Sequence, residues 1–238
     1  FKVYNAMHKQ YGDVTMTKVL EKSINTGMIW IEEKIGKKRF GNYVEKFGFG
    51  KKTGIKLDTE VAGDISSFSK QAKIYGANAS FGQGFTATPL QMASAYIALA
   101  NNGKLYKPYI VKEIRHVDGR KEVKEPEVVE TVMSTRAQKL ITGMLVSVVE
   151  NGHGYMAKMD NYYVAGKTGT AQIASAEGGY SEASNHTFVG YFPANDPKFV
   201  LLVKYEAPQR AWAESTAAPT FKQVAEFAVD YYGLKKDR

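Results

Sequence analysis

Four consecutive residues, Lys167-Thr168-Gly169-Thr170, combine an ammonium group, two hydroxyls and a glycine within an extended stretch, Val164 to Gln172. Side chains alternate between the faces of a strand, so Lys167 and Gly169 are expected on one face. Thr168 and Thr170 are then expected on the other. A glycine here leaves room for a second backbone or a ligand. The pattern predicts a binding strand at a sheet edge, although an ordinary edge strand would also explain four such residues.

A second polar stretch, Ser23-Ile24-Asn25, interrupts a helical pattern of apolar residues over 15–36. Serine and asparagine compete for backbone hydrogen bonds inside helices, so we expect two helical pieces with a break or cap between them. Helix punctuation is sufficient to explain Ser23 and Asn25. A chemical role is the alternative.

Composition removes several classes of site. The 238 residues are 44% hydrophobic and 24% charged, with no cysteine, which excludes disulfides, thiolate metal ligands and a cysteine nucleophile. The four histidines are dispersed and form no pair such as HExxH, so no metal site is predicted. Gly82 and Gly84 imitate a dinucleotide fingerprint, but no strand leads into them and no cofactor is predicted. The serine-hydrolase elbow GxSxG is absent, since the stretch from Gly179 to Ala183 lacks the last glycine.

The net charge of +8 comes from scattered lysines and a basic tail. Without a basic stripe interleaved with aromatics, nucleic-acid binding is not predicted. Solvated faces explain the charge, and weak attraction to anionic lipid or polymer is compatible with it. The chain contains no run of eighteen apolar residues, so no membrane span is predicted.

The remaining pattern predicts an α+β fold in one domain, an antiparallel sheet flanked by helices. We expect Phe221, Val224, Phe227, Ala228 and Tyr231 to face inward on the last helix. The expected elements are helices over 39–49, 89–101, 135–151 and 219–232, strands over 55–57, 162–173, 186–192 and 198–205, and a hairpin of 109–116 with 121–131 that turns at Asp118-Gly119.

A Ser-x-Asn followed far downstream by Lys-Thr-Gly-Thr resembles two of the three signatures of penicillin-binding proteins and serine β-lactamases, whose third is Ser-x-x-Lys. Further stretches look like the class B penicillin-binding protein pattern, in the same order along nearly the whole chain. They are residues 20–28, 48–54, 80–84 with 88–91, 100–103, 166–172, 188–193 and 217–221. The resemblance implies a β-lactamase/transpeptidase-like fold and the D,D-transpeptidase activity that cross-links peptidoglycan during division or elongation.

The resemblance also implies a role for each matching residue. Ser23 would lie in the proton path between the nucleophile and the leaving or attacking amine. Asn25 would hydrogen-bond the amide of the acyl donor, and Lys167 would supply positive potential and order the proton network. The Thr170 backbone N–H would be one donor of an oxyanion hole.

Substrate contacts are implied for the rest of the strand. The hydroxyls of Thr168 and Thr170 would hold the terminal carboxylate of a D-Ala-D-Ala stem peptide or of a β-lactam. Gly169 would let the substrate lie alongside the strand and pair with its edge. Gln172 is placed among the substrate-binding residues.

The third signature departs from the family pattern. Ser67-Phe68-Ser69-Lys70 is the one Ser-x-x-Lys string, but it follows Ser-x-Asn instead of preceding it, and we interpret it as coincidence. We therefore expect 1–238 to be a single partial domain, the carboxy-terminal part of a transpeptidase domain without its nucleophile-bearing helix. The start at Phe1 suggests a processed or partial chain, inactive and not a stable monomer by itself.

The implied partners are peptidoglycan stem peptides, β-lactams, an upstream segment bearing Ser-x-x-Lys, and membrane proteins of the divisome or elongasome. The implied location is the outer face of the bacterial cytoplasmic membrane, with the anchor upstream. Two alternatives stay open, a β-lactamase or β-lactam sensor on the same fold and a non-catalytic cell-wall or divisome binding module. Glu60 is the one acid in mid-chain that could serve hydrolysis, and we expect it to belong to a structural turn.

Overall fold

The computed structural model describes residues 2–175 and 178–238, with seven α-helices and seven strands in that part of the chain. The helices are α1 (Met16–Glu21), α2 (Asn25–Ile35), α3 (Lys37–Lys46), α4 (Lys73–Ser80), α5 (Pro89–Ala100), α6 (Thr135–Asn151) and α7 (Ala217–Tyr231). The strands are β1 (Lys104–Tyr106), β2 (Glu113–Arg115), β3 (Lys121–Val123), β4 (Val128–Thr131), β5 (Ala165–Ala174), β6 (Tyr180–Phe192) and β7 (Phe199–Glu206).

The main sheet is antiparallel, in the order β5-β6-β7, so β5 is an edge strand as predicted. On one face, Phe188 and Phe192 of β6 pack against Phe221 of α7. On the other, Ala165 of β5 lies in a cluster with Leu145 of α6. A sheet covered by helices on both faces confirms the α+β class.

Local signals place the helices that support the sheet. Thr88 and Gln91 form a reciprocal capping box at the start of α5. Ser134 accepts a hydrogen bond from Ala137 N–H at the start of α6, whose bounds match those predicted. No helix in residues 2–175 and 178–238 combines the length and apolarity that a bilayer crossing requires.

The chain breaks between α1 and α2 where the sequence predicted. Ser23 has a φ of 51°, in the left-handed region that residues other than glycine seldom adopt. Ile24 follows it, buried, and its N–H donates to the Val19 carbonyl at 2.9 Å. Gly27 lets α2 approach α1, because a Cβ there would come within 2.8 Å of Val19. Packing thus holds Ser23 in its unusual conformation.

Two expectations about smaller elements are wrong, and one helix was missed. Residues 55–57 form no strand, because Gly54 and the Glu60 turn replace strand pairing in this stretch. The predicted hairpin is shorter, with β2 paired to β3 across Asp118-Gly119, while β4 pairs with β1 instead. The helix α4 was not predicted, since its sequence has too few large apolar residues to give a helical period.

The buried face of α7 also differs from the prediction. Phe221 is fully buried, and Ala228 packs at the edge of the core. Val224, Phe227 and Tyr231, in contrast, are exposed. The side chains that α7 buries are mostly small: Ala217, Ala218, Phe221, Ala225 and Val229. Alanines let the helix approach the phenylalanines of β6 closely. Close packing, and not the size of the apolar side chains, therefore determines which face of α7 is buried.

Gly166→Ala should destabilise the protein by about 1–3 kcal/mol, because the new Cβ would lie 2.7 Å from the Phe188 ring in a packed core. Urea unfolding measures the change. The matched control is Gly143→Ala on the exposed side of α6, where a Cβ meets nothing within 4 Å. Alanine is the better helix former there, so stability should rise by about 0.5–1 kcal/mol. Equal effects of the two variants would contradict this packing.

Candidate active site

The two polar stretches singled out from the sequence meet. The Lys167 ammonium nitrogen Nζ donates to the Ser23 hydroxyl at 3.0 Å, across 144 positions of sequence. It also donates to the Thr168 carbonyl at 3.0 Å and lies 3.4 Å from the Thr168 hydroxyl. One ammonium group therefore joins the α1–α2 break to the edge strand β5.

The environment of Lys167 weakens its hold on a proton. Burial lowers the pKa of Lys167 to about 8, because a charged ammonium is costly away from water, and the Glu214 carboxylate raises it in part. A lysine whose pKa lies near neutrality exchanges protons more readily than one with a pKa of about 10.5. Lys167 and the neighbouring Ser23 hydroxyl can thus form a proton-transfer pair.

Thr170 reaches the opposite side of β5. Its hydroxyl accepts a hydrogen bond from the Ala213 backbone N–H at 3.1 Å. Ala213 begins a short 3-10 helix, Ala213–Ser215, that leads into α7. The alternation of faces predicted for β5 is confirmed by these contacts, with Lys167 directed toward Ser23 and Thr170 toward Ala213.

His186 fastens the end of that 3-10 helix. It lies on β6 opposite Thr170, fully buried, with Nδ1 3.0 Å from the Thr216 hydroxyl and Nε2 3.0 Å from the Ser184 hydroxyl. Burial lowers the pKa of His186, so the ring stays neutral, with one donor and one acceptor nitrogen. Both hydroxyls can satisfy either nitrogen.

His153 connects the two sides of the site. Its backbone N–H donates to the Glu21 carbonyl at 3.0 Å, two residues before Ser23. Its ring nitrogen Nδ1 lies 2.8 Å from the Glu214 carboxylate, within the same 3-10 helix as Ala213. We call this link the His153 brace, defined as Glu21, His153 and Glu214. It completes a circuit of contacts that runs through Ser23, Lys167, β5 and Thr170.

The Glu21 side chain is itself held by residues of α6 and α1. Its carboxylate accepts from the Ser147 hydroxyl at 2.7 Å and pairs with Lys18 at 2.8 Å. Although burial alone would raise the pKa of Glu21, these two partners hold it below its usual value. The carboxylate is therefore charged at neutral pH.

Other predicted site residues have partners within the protein. The Asn25 side-chain amide donates to the Tyr4 carbonyl at 3.2 Å, and the Gln172 amide donates to the Ser181 carbonyl at 3.3 Å. A Cβ on Gly169 would come within 2.5 Å of the Thr187 hydroxyl, so β6 as well as any ligand requires glycine there. Phe1 lies outside the described residues.

The Ser67–Lys70 string and Glu60, which the sequence raised as a possible third signature and a possible base for hydrolysis, make contacts outside the Ser23 and Lys167 pair. Phe68, in the Ser-x-x-Lys string, stacks edge-on with Phe40 at 5.3 Å, and Lys70 lies 4.7 Å from the Tyr75 ring. That this string is coincidental stays a prediction. Glu60 accepts hydrogen bonds from Thr53 N–H at 2.6 Å and from Gly54 N–H at 3.1 Å, which assigns it to the structural turn that was expected.

The four histidines are dispersed in the sequence, and nothing in their spacing singles out His153 or His186. The partners that connect them to the 3-10 helix, Glu214 and Thr216, are 61 and 30 residues away, so no local motif could reveal these contacts. Glu214 was missed for the same reason. In the described part of the chain, no group of three or more histidine, aspartate or glutamate side chains could hold a metal ion.

Residues 1–226 match the family model described as the penicillin-binding protein transpeptidase domain. The chain is 36% identical over 231 residues to stage V sporulation protein D of Bacillus subtilis, covering 94% of this chain and 35% of that protein. It is 34% identical over 233 residues to the penicillin-binding protein PbpB of Mycolicibacterium smegmatis, covering 92% and 36%. The chain thus spans about a third of the length of these curated relatives.

A similar solved structure is penicillin-binding protein 3 of Mycobacterium tuberculosis in its apo form, with a TM-score of 0.92 and 30% identity over 99% of this chain and 56% of that one. The aztreonam complex of that protein has a TM-score of 0.91 and 29% identity, covering 99% and 55%. The fold of this chain therefore matches that of penicillin-binding protein 3 over nearly its whole length.

The Lys167 side chain should titrate with a midpoint near pH 8, visible in the Cε chemical shift of ¹³C-labelled lysine. Glu214→Gln should move the midpoint to lower pH, because the carboxylate favours the ammonium form. The matched control, Glu226→Gln at a half-exposed position of α7, should leave it unchanged. A midpoint near pH 10.5 would contradict the burial of Lys167.

The lowered pKa of Lys167 also makes the free energy of unfolding depend on pH. Between pH 8 and 10.5 the unfolded chain keeps the Lys167 proton while the folded protein has lost it, so stability should rise with pH across this window. Below pH 8 both states are protonated and this lysine adds no pH dependence.

Proposed function

The chain belongs to the family of penicillin-binding protein transpeptidase domains. From this we propose that it is part of a peptidoglycan D,D-transpeptidase. In that reaction a serine oxygen attacks the carbonyl carbon between two D-alanines and forms an ester, while the terminal D-alanine leaves as a free amine. An acceptor amine then attacks the ester, forms the cross-link amide and returns the proton to the serine.

The observation that carries this proposal is the 3.0 Å contact between Lys167 Nζ and Ser23 Oγ. Acyl transfer by serine requires a proton to pass from the nucleophile to the leaving amine and back again. A hydroxyl in contact with a lysine of lowered pKa can relay that proton, since the hydroxyl both donates and accepts. Ser23 is therefore the relay, and Lys167 orders it and supplies positive potential.

The substrate would lie along β5. Its outer edge is unpaired within the main sheet, so an extended peptide could add to that edge, beside Gly169. The Thr168 and Thr170 hydroxyls would bind the terminal carboxylate, with the Thr170 N–H as one oxyanion donor. Gln172 would extend the substrate contacts beyond Thr170.

Asn25 would bind the amide of the acyl donor. Its side-chain amide donates to the Tyr4 carbonyl at 3.2 Å, and its neighbour Thr26 donates to the Asn5 side chain at 3.0 Å. Residues 4 and 5 thus lie across this part of the site. Substrate would have to replace the Tyr4 contact or use the carbonyl oxygen of the Asn25 side chain.

The nucleophile would come from a Ser-x-x-Lys segment outside these 238 residues. Support for this comes from the surroundings of Ser67. It lies in the 3-10 helix Ser66–Ser69, next to Phe68, whose ring packs against the core cluster of Val44, Phe49 and Ala95. Such a protein would act at the outer face of the cytoplasmic membrane, where peptidoglycan precursors are available. Membrane proteins of the divisome or elongasome would be its partners.

β-Lactam hydrolysis on the same fold requires a base that activates water to break the acyl ester. Glu60 is the acid considered for that task. Burial would raise its pKa, but hydrogen bonds from Thr53 and Gly54 outweigh that effect and hold its pKa below the usual value. A carboxylate whose oxygens are engaged in a turn is a poor base, which favours transpeptidation over hydrolysis.

Ser23→Ala and Lys167→Ala, made in the complete protein, should each slow acylation by a fluorescent penicillin about 10²–10⁴-fold, because each removes part of the proton path. Stopped-flow fluorescence measures the rate. Ser69→Ala and Lys204→Ala are matched controls at positions remote from Lys167 in the hydrogen-bond network. Acylation at the wild-type rate in both site variants would refute the assigned roles, and rapid turnover of a chromogenic β-lactam would refute the transpeptidase itself.

His153→Ala should slow the same acylation about tenfold, with melting temperature little changed, because loss of the brace frees the 3-10 helix that supports Thr170. His153→Asn, which can still donate to Glu214, should restore part of the rate. The matched control is His116→Ala, since His116 also contacts a glutamate, Glu122, at 2.8 Å but on the β2–β3 hairpin. Equal effects of the two alanine variants would show that the brace does not position the site.

A further inference from the structure

A cavity of about 400 Å³ lies between the end of α3, the turn at residues 48–53, α5 and the β1–β4 pair. It shares no lining residue with the Ser23 and Lys167 site. Its volume is within the range of small-molecule sites, which is about 300–1,000 Å³. Nothing in the proposed transpeptidase reaction uses this cavity.

The cavity has one buried polar group with unused hydrogen-bonding capacity. Gln91, which also lines it, is saturated: its amide donates to the Lys51 and Ala62 carbonyls at 2.8 and 2.6 Å and its oxygen accepts from Thr88 N–H at 2.8 Å. Ser94, one helical turn further on α5, is 4% exposed, and its hydroxyl has no partner in the described part of the chain.

An unpartnered hydroxyl at this position is unusual. A serine in the middle of a helix commonly donates to the carbonyl four residues earlier, and a buried hydroxyl left without any partner costs about 1–3 kcal/mol. Its oxygen is closed to solvent in its present position, so a ligand would gain this hydrogen bond once the Ser94 side chain turns toward the cavity. Ser94 therefore contributes to the cavity wall a hydroxyl that gives up no hydrogen bond of its own when it turns to one with a ligand.

The rim of the cavity is cationic. Lys46, Lys51 and Lys52 all line it, are exposed, and form no ion pair with any described residue. Lys52 acts on the Glu60 carboxylate only from beyond ion-pair distance. Two carboxylates, Glu45 and Glu130, also line the cavity, which leaves one excess positive charge. This excess favours an anion over a cation.

The remaining wall is apolar. Phe47, Leu105, Tyr106, Pro108 and Val129 contribute it. An inorganic anion would leave this surface without a contact, whereas an aliphatic or aromatic group would cover it. The three parts of the lining together specify a ligand with an anionic group, an apolar body and a hydrogen-bonding atom.

We propose that this cavity is a binding site for a small organic carboxylate with an apolar body. The lysines at its rim bind the anionic group, the apolar wall covers the body, and Ser94 forms a hydrogen bond with the ligand. The site is separate from the Ser23 and Lys167 site, so occupancy does not depend on the transpeptidase assignment.

The test uses 4-phenylbutyrate as the probe and 4-phenylbutanamide as its uncharged match, titrated into the complete protein and followed by amide chemical shifts. We expect shifts at residues 46–53 and 91–94 with the carboxylate, and binding at least about tenfold weaker with the amide. The double variant Lys51→Gln/Lys52→Gln should weaken carboxylate binding about tenfold. The matched control is Lys204→Gln/Lys222→Gln, whose lysines lie on β7 and α7 in existing ion pairs, and it should bind as the wild type does.

Ser94→Ala provides a second variant that should fold normally, since it removes a buried hydroxyl that has no partner. This variant should weaken the binding of 4-phenylbutyrate several-fold. Absence of binding by both probes, equal binding of acid and amide, or wild-type affinity in the Lys51/Lys52 variant would each overturn the proposal. Loss of binding after acylation by benzylpenicillin would overturn it too, because the probe would then occupy the Ser23 site. Failure of penicillin to acylate would bear on the transpeptidase and leave this binding result unaffected.

Discussion

The partial burial of one ammonium group is the constraint on which the site depends. An amine taken from water loses solvation, and the protein compensates with the Ser23 hydroxyl, the Thr168 carbonyl and the potential of Glu214. The compensation is incomplete, so the pKa of Lys167 falls to about 8. A lysine fully satisfied by a carboxylate at contact distance would keep its proton firmly. Partial compensation is what makes this lysine able to order a proton path.

Because Lys167 must meet Ser23, the elements that carry them have to be fixed relative to each other. The break between α1 and α2 is held by Ile24, which is buried, and by the close approach of Gly27 to Val19. The edge strand β5 is held through Gly166, which lies against Phe188 in the core. Side chains in a packed core have little freedom to shift, so the position of each motif follows from the packing behind it.

The His153 brace and His186 extend this rigidity to the other side of the strand. They fasten the 3-10 helix Ala213–Ser215 between the α1 end and β6, and this short helix supports Thr170. Three residues of 3-10 helix have little stability by themselves, so they need such external contacts. The cavity that Ser94 lines lies in another part of the protein, where α5 and the β1–β4 pair meet. The Ser94 hydroxyl is buried there without a hydrogen-bond partner in the described part of the chain.

The sequence alone determined the elements with a strong local signal and the identity of the motifs. The length of α6 followed from its apolar period, and the edge strand with Lys167 followed from alternation. The break at Ser23 followed from competition for backbone hydrogen bonds. Tertiary structure decided which face of α7 is buried, because small alanines fit against β6 better than Phe227 does. It also decided the roles of His153, His186 and Glu214. The contacts of His153 with Glu214 and of His186 with Thr216 join residues far apart in sequence, and such a hydrogen bond exists only once packing has brought the two groups together.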